Sequence, residues 1–534
     1  MSKLQTNKMT NYRWVICAML FLATMVNYMD RQVLSLTWKD FIALDFHWDD
    51  ENYGDITAVF SIFYAFISLF AGKFIDWMGT KKGYIWAIVI WSLGACLHAT
   101  CGWITMHVEG IATIEELRAV EKGTDLALAI TTLSVWLFLA CRIILATGEA
   151  GNFPAAIKVT AEYFPKKDRA FATSIFNAGA SVGALAAPLT IPTLATHMGW
   201  EMAFIIIGAI GFVWAGLWTF MYSTPSKSRY VNKAELAYIE SDKDDAAAAE
   251  EAKKAEADDN GIKLSFIECF KYRQTWAFIV GKLLTDGVWW FFLFWAPAYF
   301  SELGYSMETF TGQMLVFVLY LIVTVVSIYG GYLPKLFVEK RGMDPYAGRM
   351  RAMLIFAFFP ILAMFAQPLS GISPWIPAII IGLAGAGHQA WSANLYSTIG
   401  DMFPKSAIAT ITGIGTMFGG LCSFAINMGS GKLFTYAAGS FKYGDKIFEL
   451  STKNINDEFK LVEDQLIKSG TNATELVSKV QELGGEIIQQ PMHLLGMDGK
   501  PAGYMIVFTY CAIAYLLGWI IMKTLVPKYK PITK

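Results

Sequence analysis

The sequence predicts an all-α polytopic membrane protein with twelve transmembrane helices, arranged as two parallel six-helix repeats. Three observations predict this fold. Of the 534 residues, 55% are apolar and only 16% are charged, against about 25% charged residues in an ordinary soluble domain. Twelve apolar runs are long enough to cross a bilayer. A short motif also recurs about half a chain apart.

The predicted spans are runs of about 20 apolar residues, the length that crosses roughly 30 Å of hydrocarbon. The first run is not a cleaved signal peptide, because it is too long and carries Asp30 and Arg31 late in the run. The twelve spans are 13–37, 54–76, 83–103, 128–157, 169–195, 201–222, 273–300, 309–334, 351–369, 374–400, 408–434 and 502–523.

The distribution of basic residues predicts the orientation. Lys and Arg accumulate in the N-terminal segment, the C-terminal tail and the short loops on the same side, whereas the opposite short loops offer only Lys39. Cytoplasmic loops carry such an excess, so both termini are predicted to be cytoplasmic. The net charge of −1 and the scattered basic residues argue against a nucleic-acid partner.

Polar segments divide the chain. Residues 223–272 are Ala-rich and charged, so we expect a cytoplasmic linker without a core between an N-terminal half, 1–222, and a C-terminal half, 273–534. Segments 104–127 and 435–500 are predicted outer insertions. The second contains two amphipathic, helix-like stretches, Asn454–Ser469 and Thr474–Gln490. It is interpreted as a lid or docking surface, or alternatively as a tolerated loop insertion.

The recurring motif is Phe164-Pro165-Lys166, which reappears as Phe403-Pro404-Lys405 at an offset of 239 residues. A half with an even number of helices ends on the side where it began, so the two repeats must be parallel. Parallel repeats are typical of one large class of secondary transporter.

Four charged residues fall within predicted spans of the first half: Asp30, Arg31, Arg142 and Glu149. An intramembrane charge is costly and needs a partner or a wet cavity. Arg142 and Glu149 are two helical turns apart and therefore share a face. Structural salt bridges between the first and fourth spans are one interpretation. The other is functional, because arginines can receive a substrate carboxylate and buried acids can exchange protons.

The polar residues of the second half centre on His388, which the offset of 239 places at the position of Glu149. One interpretation is that His388 contacts the substrate. The alternative is that His388 is a core histidine whose hydrogen bonds are satisfied within the protein. The polar and aromatic neighbours in the same span are Gln389, Trp391 and Asn394. Lys282 and Asp286, spaced i,i+4, form either a local pair or part of a site.

Aromatic residues favour a polyhydroxylated substrate. The residues that can stack a sugar ring are Tyr64, Trp289, Trp290, Trp295 and Trp391. Trp and Tyr also concentrate at membrane interfaces, and of these five only Tyr64 and Trp391 lie beside other polar candidates. The nucleophile-elbow, zinc-protease and P-loop signatures are absent from the sequence, so no enzymatic activity and no ATP-driven pump is expected. The seven cysteines show no C-x-x-C spacing, and no metal or cofactor is predicted.

Five motifs resemble those of the major facilitator superfamily, and within it the anion:cation symporters that import sugar acids. The resemblance is strongest to bacterial hexuronate transporters and covers both halves without the outer insertions. The motifs are Asn27–Arg31 in the first span, Arg142–Pro154 in the fourth, Gly79–Tyr84, Gly330–Pro334 and His388–Ala390.

The resemblance implies roles for individual residues. It implies that Asp30 and Glu149 carry protons, and that Arg31 and Arg142 bind the substrate carboxylate. The matching positions that line the cavity are Tyr64 and Trp391. Asp76 matches the acid of the superfamily's cytoplasmic gating motif, but Trp77 replaces the arginine that usually follows it, so that gate must be held differently. Met417 stands where galactonate-type relatives carry Asn.

The predicted function is therefore proton-coupled import of a sugar-acid anion, a hexuronate such as glucuronate or galacturonate, by alternating access. We expect the protein to act as a monomer in the inner membrane of a bacterium, with the proton gradient as its energy source. One alternative is a transporter of another organic anion, such as an aldonate or an aromatic acid. The other is a membrane sensor that binds without transporting.

Overall fold

The computed structural model describes residues 9–241, 266–403, 405–461, 465–467 and 471–532. Long helices dominate these residues, which confirms the predicted helical membrane fold. Two small antiparallel sheets lie in the second insertion and are not predicted by the sequence pattern. Pro404 of the repeated motif lies outside the described residues.

The first helix group precedes the linker. Its third helix shows how local sequence sets a boundary, because the Asp49 side chain accepts a 2.9 Å hydrogen bond from the amide of Asn52 and caps the helix. The helices are α1 (Tyr12–Thr37), α2 (Ala43–Phe46), α3 (Asp50–Met78), α4 (Thr80–His98), α5 (Thr100–Glu109), α6 (Ile114–Ala119), α7 (Asp125–Glu149), α8 (Asn152–Tyr163), α9 (Lys166–Met198) and α10 (Trp200–Met221). A π-helical segment, Trp38–Ile42, joins α1 to α2.

The linker begins with structure that its composition does not suggest. A short 3-10 helix, Pro225–Lys227, is followed by α11 (Lys233–Ile239), and α12 (Phe266–Cys269) precedes the second group. The expectation of a linker without a core is wrong for α11, because Glu235 is buried and accepts hydrogen bonds from the backbone amides of Tyr12 and Arg13. Residues 242–265 of the predicted linker lie outside the described residues.

The second helix group follows the linker and includes the second insertion. Its long helices pack around α13, which contacts both α19 and α22. The helices are α13 (Arg273–Glu302), α14 (Phe310–Ser327), α15 (Tyr329–Arg341), α16 (Pro345–Ala357), α17 (Ala366–Leu369), α18 (Trp375–Met402), α19 (Lys405–Ala438), α20 (Thr452–Glu458), α21 (Ala473–Glu482) and α22 (Lys500–Leu525). A 3-10 segment, Pro360–Phe365, lies between α16 and α17.

The number of spans agrees with the prediction for all but one segment. Ten helices in the described part of the chain are long and apolar enough to cross a membrane, or eleven if the bent pair α4–α5 is one span. The tenth predicted span, 374–400, corresponds to α18, a helix of 28 residues that is not among them. Its polar residues, including His388 and Gln389, lower its hydropathy, so the count of twelve remains a prediction.

The second insertion is a small folded unit. Its strands are β1 (Ser440–Tyr443), β2 (Lys446–Glu449), β3 (Glu486–Gln489), β4 (His493–Leu494) and β5 (Met497–Asp498). They form antiparallel sheets of order β2-β1-β3 and β4-β5. The predicted stretch Thr474–Gln490 is helical only to Glu482, because Gly484, with φ of +85°, ends the helix and β3 pairs with β1. The stretch Asn454–Ser469 is helical only to Glu458, and residues 462–464 and 468–469 lie outside the described residues.

Successive long helices alternate in direction, so their ends define two sides of the bundle. We call the side with Tyr12, Met221, Arg273 and Leu525 the termini side. The opposite side, which carries the two insertions, is the insertion side. Ion pairs between described residues of the two groups lie on the insertion side: Lys39–Glu302, Glu51–Lys432, Glu121–Lys446 and Asp50–Lys500.

Helices α3 and α19 make the closest approach between the two groups. A Cβ atom on Gly54 would lie 2.8 Å from the carbonyl oxygen of Asn427 and 3.0 Å from the Cα of Gly431, so glycine is required there. Nearby, the Tyr53 hydroxyl donates a 2.7 Å hydrogen bond to the carbonyl of Phe294. The two groups are thus closed against each other on the insertion side.

Candidate functional site

The centre of the candidate site is an ion pair between α1 and α7. The Nε and Nη2 atoms of Arg31 donate hydrogen bonds of 2.9 and 2.7 Å to one carboxylate oxygen, Oε2 of Glu149. The Arg31 side chain is 5% exposed and that of Glu149 is not exposed at all. The structure therefore brings together two predicted site residues that lie 118 positions apart.

Aromatic rings surround the Arg31 guanidinium. Its carbon lies 4.7 Å from the ring centre of Tyr64, 5.1 Å from Trp290, 5.3 Å from Tyr28 and 5.9 Å from Phe60. Such rings stabilise a cation through their π faces and limit its access to water. Because Trp290 belongs to α13, this cage joins the two helix groups.

Asp30 and Arg142 are buried charges without an ion-pair partner among the described residues, and the Trp91 side chain is a polar neighbour of Asp30. Asp30 is 1% exposed and Arg142 is 1% exposed. Among the described residues, neither carboxylate oxygen of Asp30 and neither Nε nor Nη1 of Arg142 has a hydrogen-bond partner. Oε1 of Glu149 is equally unpartnered. Buried charges are normally paired, so these atoms are available to a ligand, a proton or water.

The two arginines are neighbours through one ring. The Phe60 ring centre lies 5.3 Å from the Arg142 guanidinium carbon and 5.9 Å from that of Arg31. Asp30, adjacent to Arg31 in sequence, interacts electrostatically with Glu149 and Arg142. All four predicted charges of the first half therefore belong to one buried cluster, which we call the charge cluster.

His388 lies in a second, neutral arrangement. Its Nδ1 is 2.8 Å from the Tyr515 hydroxyl, which in turn donates a 3.3 Å hydrogen bond to the carbonyl of Thr285. The Trp289 ring stacks parallel to the imidazole, with centroids 5.7 Å apart. Trp289 and Trp290 are consecutive in α13, so this helix contacts His388 with one ring and Arg31 with the next.

Lys282 and Asp286 form a local pair. The Nζ of Lys282 lies 2.5 Å from Oδ2 of Asp286 and donates a 3.0 Å hydrogen bond to the Tyr396 hydroxyl. Both charges are buried and both belong to α13. Of the two interpretations of this i,i+4 spacing, the structure shows the local pair.

The remaining predicted residues of α18 take different positions. Trp391 is fully buried, edge-on to Tyr515 with centroids 5.5 Å apart, and its indole nitrogen has no partner among the described residues. Gln389 is partly exposed. Asn394 donates 2.8 Å hydrogen bonds to the carbonyls of Gly330 and Ala390, which fixes its amide between α18 and α15. The structure therefore gives Asn394 a helix-packing contact rather than a place in the charge cluster.

Asp76 lies on the termini side, away from the charge cluster. Its carboxylate pairs with the Nζ of Lys158 at 2.6 Å, which connects α3 to α8 within the first helix group. The Asp76 side chain is 71% exposed and Trp77 beside it is 80% exposed. Lys158 thus supplies the cation that is missing at position 77.

The sequence prediction omitted several residues that contact the site. Tyr28 occurs inside a quoted motif without a role of its own, whereas Trp290 is one of the aromatic residues predicted to stack a sugar ring, and the structure places it against Arg31. Phe60 and Tyr515 both lie within apolar runs of the sequence. No local pattern distinguishes Tyr515 from the apolar residues around it. A 3.6-residue periodicity shared with Tyr64 is the one signal that indicates Phe60.

Metal binding finds no support in the described residues, where no three His, Cys, Asp or Glu side chains are grouped so that they could hold an ion. The charges of the cluster comprise two arginines and two acids, which is a set that suits an anion and a proton rather than a metal.

Characterised transporters resemble this chain over most of its length. The hexuronate transporter of Escherichia coli (strain K12) is 27% identical over 429 residues, covering 79% of this chain and 88% of that protein. The galacturonate transporter of Dickeya chrysanthemi is 26% identical over 372 residues, covering 68% and 95%. The predicted resemblance to hexuronate transporters is confirmed.

Solved structures share the fold. A bacterial homologue of the human lysosomal transporter Spinster, in an inward-facing and occupied conformation, superposes with a TM-score of 0.61 at 17% identity, over 98% of this chain and 99% of that one. The family model of the Major Facilitator Superfamily matches residues 20–426. The chain is a multi-pass membrane transporter, not an enzyme, and it belongs to the Major Facilitator Superfamily.

Proposed function

We propose that the protein is a proton-coupled symporter that imports a sugar-acid anion, with a hexuronate such as glucuronate or galacturonate as the substrate. The observation that carries the proposal is the charge cluster, where Arg31 and Glu149 pair directly while Asp30 and Arg142 have no ion-pair partner among the described residues. The names of the hexuronate and galacturonate relatives support the substrate class.

The arginines suit the carboxylate of the substrate. A guanidinium is planar and permanently charged, and it donates charge-assisted hydrogen bonds that match carboxylate geometry. Arg142 has two donor nitrogens without partners in the described protein, and Arg31 can exchange Glu149 for the substrate. The rings of Tyr64 and Trp290 offer faces for the sugar carbons, and His388 offers a polar contact from the opposite group.

The acids suit the proton. When a substrate carboxylate takes over an arginine, the displaced acid loses its counter-charge and is better tolerated in its neutral form. Proton and anion therefore favour one another's binding, which is a coupling free energy between two sites. With both bound, the halves can rock without carrying an unpaired charge through an apolar barrier.

The remaining features of the proposal follow the same scheme. The protein works as a monomer without a cofactor, driven by the proton gradient across a bacterial inner membrane. The excess of basic residues in the loops of the termini side supports a cytoplasmic location for that side. Since the two groups are closed on the insertion side, this arrangement corresponds to a transporter that opens toward the cytoplasm.

Uptake into proteoliposomes tests the proposal. Labelled glucuronate should accumulate when the interior is alkaline, should continue to accumulate without sodium and should stop when an uncoupler is added. Competition by galacturonate, galactarate, aldonates and aromatic acids would rank the substrate class. Accumulation that requires sodium would contradict proton coupling. Binding without accumulation under any gradient would favour the sensor.

A further inference from the structure

The two insertions meet across the boundary between the helix groups. Lys446 in β2 forms an ion pair with Glu121 at 2.6 Å, and Lys122 donates a 2.9 Å hydrogen bond to Oδ1 of Asn454. A Cβ atom on Gly123 would lie only 3.0 Å from the Cβ of Lys446. The second insertion of one group thus contacts the first insertion of the other group directly.

A buried ion network lies beneath this contact. The Nζ of Lys500 lies 2.6 Å from Asp50, 3.1 Å from Glu302 and 2.8 Å from Glu449. Lys39 pairs with Asp50 at 3.1 Å and with Glu302 at 2.6 Å. Asp50 and Lys39 belong to the first group, Glu302 and Lys500 to the second, and Glu449 to the insertion. The network therefore ties three parts of the chain together.

The second insertion is rigid enough to transmit this contact. Its own small core contains Phe441, Phe448, Leu450, Ile455, Leu476 and Val480, all less than 9% exposed. Backbone hydrogen bonds fix it to the end of α19, from Met492 to the carbonyl of Ala437 and from Leu450 to the carbonyl of Gly439. It follows the second helix group as a body, and it lies outside the residues that match the family model.

These contacts cross the boundary between the two helix groups, so opening of the insertion side would break them. Rocking of two transporter halves separates one side of the bundle. Separation on this side pulls Lys446 from Glu121, Lys122 from Asn454 and Lys500 from Asp50. We propose that the described part of the second insertion, residues 440–461, 465–467 and 471–499, is a clasp that holds the insertion side closed, and that it thereby sets how often this transporter opens on that side.

The two layers of the clasp differ in strength. Glu121 is 65% exposed, so its pair with Lys446 is screened by water and contributes modestly. Lys500 is 12% exposed and has three acidic partners, so its removal would take the ion-pair partner from Glu449, leave Asp50 and Glu302 to share Lys39, and threaten folding. The Glu121–Lys446 pair is therefore the position at which the clasp can be altered without unfolding the protein.

Hydrogen exchange of the full-length protein in nanodiscs, read by mass spectrometry, tests the clasp without a substrate. Lys446→Glu should raise exchange about threefold in Trp38–Ile42 and in the first turn of α3, which lie under the clasp on the other group. Combining it with Glu121→Lys should restore the wild-type rate. Lys479→Glu is the matched control, because Lys479 pairs with Glu482 inside α21 and does not cross the boundary.

A cross-link provides the opposite test. Gly123→Cys with Lys446→Cys places two thiols near disulfide distance, since Cβ atoms of a disulfide lie about 3.5–4.5 Å apart. Oxidation should slow exchange under the clasp and reduction should restore it. The single cysteine variants control for strain at Gly123, whose φ is +76°.

Two results would overturn the proposal. One is a Lys446→Glu variant whose hydrogen exchange rises only within 440–499. That result is expected if the second insertion does not hold the insertion side closed. The other is an oxidised double-cysteine protein that exchanges under the clasp as fast as its reduced form.

Discussion

The charge cluster of the first helix group and the Lys282–Asp286 pair of the second are two solutions to burying charge in a membrane. Arg31 forms an ion pair with Glu149 of another helix, and ion-pair partners are missing for Asp30 and Arg142 in the described residues. Lys282 and Asp286 are one turn apart in a single helix and satisfy each other. A pair within one helix persists when helices move, whereas a pair between helices can be exchanged for a ligand.

Under the proposed function, the two groups have separate tasks. The incompletely paired charges of the first group suit an anion and a proton, while the second group contributes His388, Trp289 and Tyr515, whose neutral contacts suit the hydroxylated part of a substrate. Corresponding repeat positions, Glu149 and His388, thus differ in charge. The comparison predicts that neutralising Glu149 removes gradient-driven uptake, whereas neutralising Lys282 and Asp286 together retains uptake and most of the stability.

The largest effect is expected at Glu149. Glu149→Gln keeps an oxygen that accepts from Arg31 but cannot exchange a proton, so substrate exchange across the membrane should continue while pH-driven accumulation falls to none. Counterflow and gradient-driven uptake of labelled glucuronate in the same proteoliposomes measure both. Accumulation that persists in this variant would show that Glu149 is not the coupling residue. Asp30→Asn is the companion variant. If Asp30 also carries a proton, this variant should likewise keep substrate exchange and lose pH-driven accumulation.

The local pair should respond as a structural unit. Lys282→Met alone leaves Asp286 as a buried unpaired charge, which costs about 3–5 kcal/mol of stability. Adding Asp286→Asn should recover most of that loss and retain uptake. Thermal unfolding in detergent, together with uptake, compares the two variants. A double variant that is stable but inactive would place this pair in the transport mechanism and would remove the contrast between the groups.

A smaller effect is expected when Arg142 is replaced by a residue that has the same charge but a different side-chain geometry. Arg142→Lys cannot reproduce the fork of donors, so substrate affinity should fall by about 10- to 100-fold, the equivalent of a lost charge-assisted hydrogen bond. Binding can be followed by titration of the purified protein with glucuronate. Affinity near that of the wild type would mean that Arg142 is only a counter-ion.

The smallest effect concerns stability on the termini side. Burial raises the pKa of Glu235, but hydrogen bonds from Thr10, from the amides of Arg13 and Tyr12 and from the Arg13 side chain outweigh it and hold the pKa below its ordinary value. A lowered carboxyl pKa stabilises the folded state above the unfolded pKa, and the stabilisation is lost as the pH falls through the folded pKa. Glu235→Gln should cost about 1 kcal/mol at pH 7.

Melting temperatures of the wild type and Glu235→Gln, measured from pH 7 to pH 4, check this expectation. The gap between the two proteins should narrow as the pH falls. A gap that is independent of pH would mean that the carboxylate charge does not hold α11 against α1.

The charge cluster shows how much of a site can be predicted from residue types and their spacing in the sequence. Asp30, Arg31, Arg142 and Glu149 are recognisable because charge within an apolar run is costly and rare. Their pairing was not predictable, since α1 and α7 both offer an acid and an arginine and the rotation of each helix is set by packing. The structure pairs Arg31 with Glu149 and gives Asp30 and Arg142 no ion-pair partner in the described chain.

Asn394 shows where sequence proximity misleads. It follows His388 in the same polar run of α18, yet its amide binds the carbonyl of Gly330 in α15. Six residues along a helix correspond to about 600° of rotation, so the two side chains point in different directions. Trp290 shows the converse, because it reaches Arg31 from the other helix group.

By itself, the sequence determined the helical membrane fold, the family and the set of buried charges, because hydropathy over 20 residues and costly intramembrane charges are properties of local composition. Only the tertiary structure decided which acid meets which arginine, that α11 of the linker packs against α1, and that the second insertion folds into a sheet fastened across the boundary between the two groups. Those outcomes depend on contacts between segments hundreds of residues apart, and side-chain rotation and register, which fix such contacts, leave no local trace in the sequence.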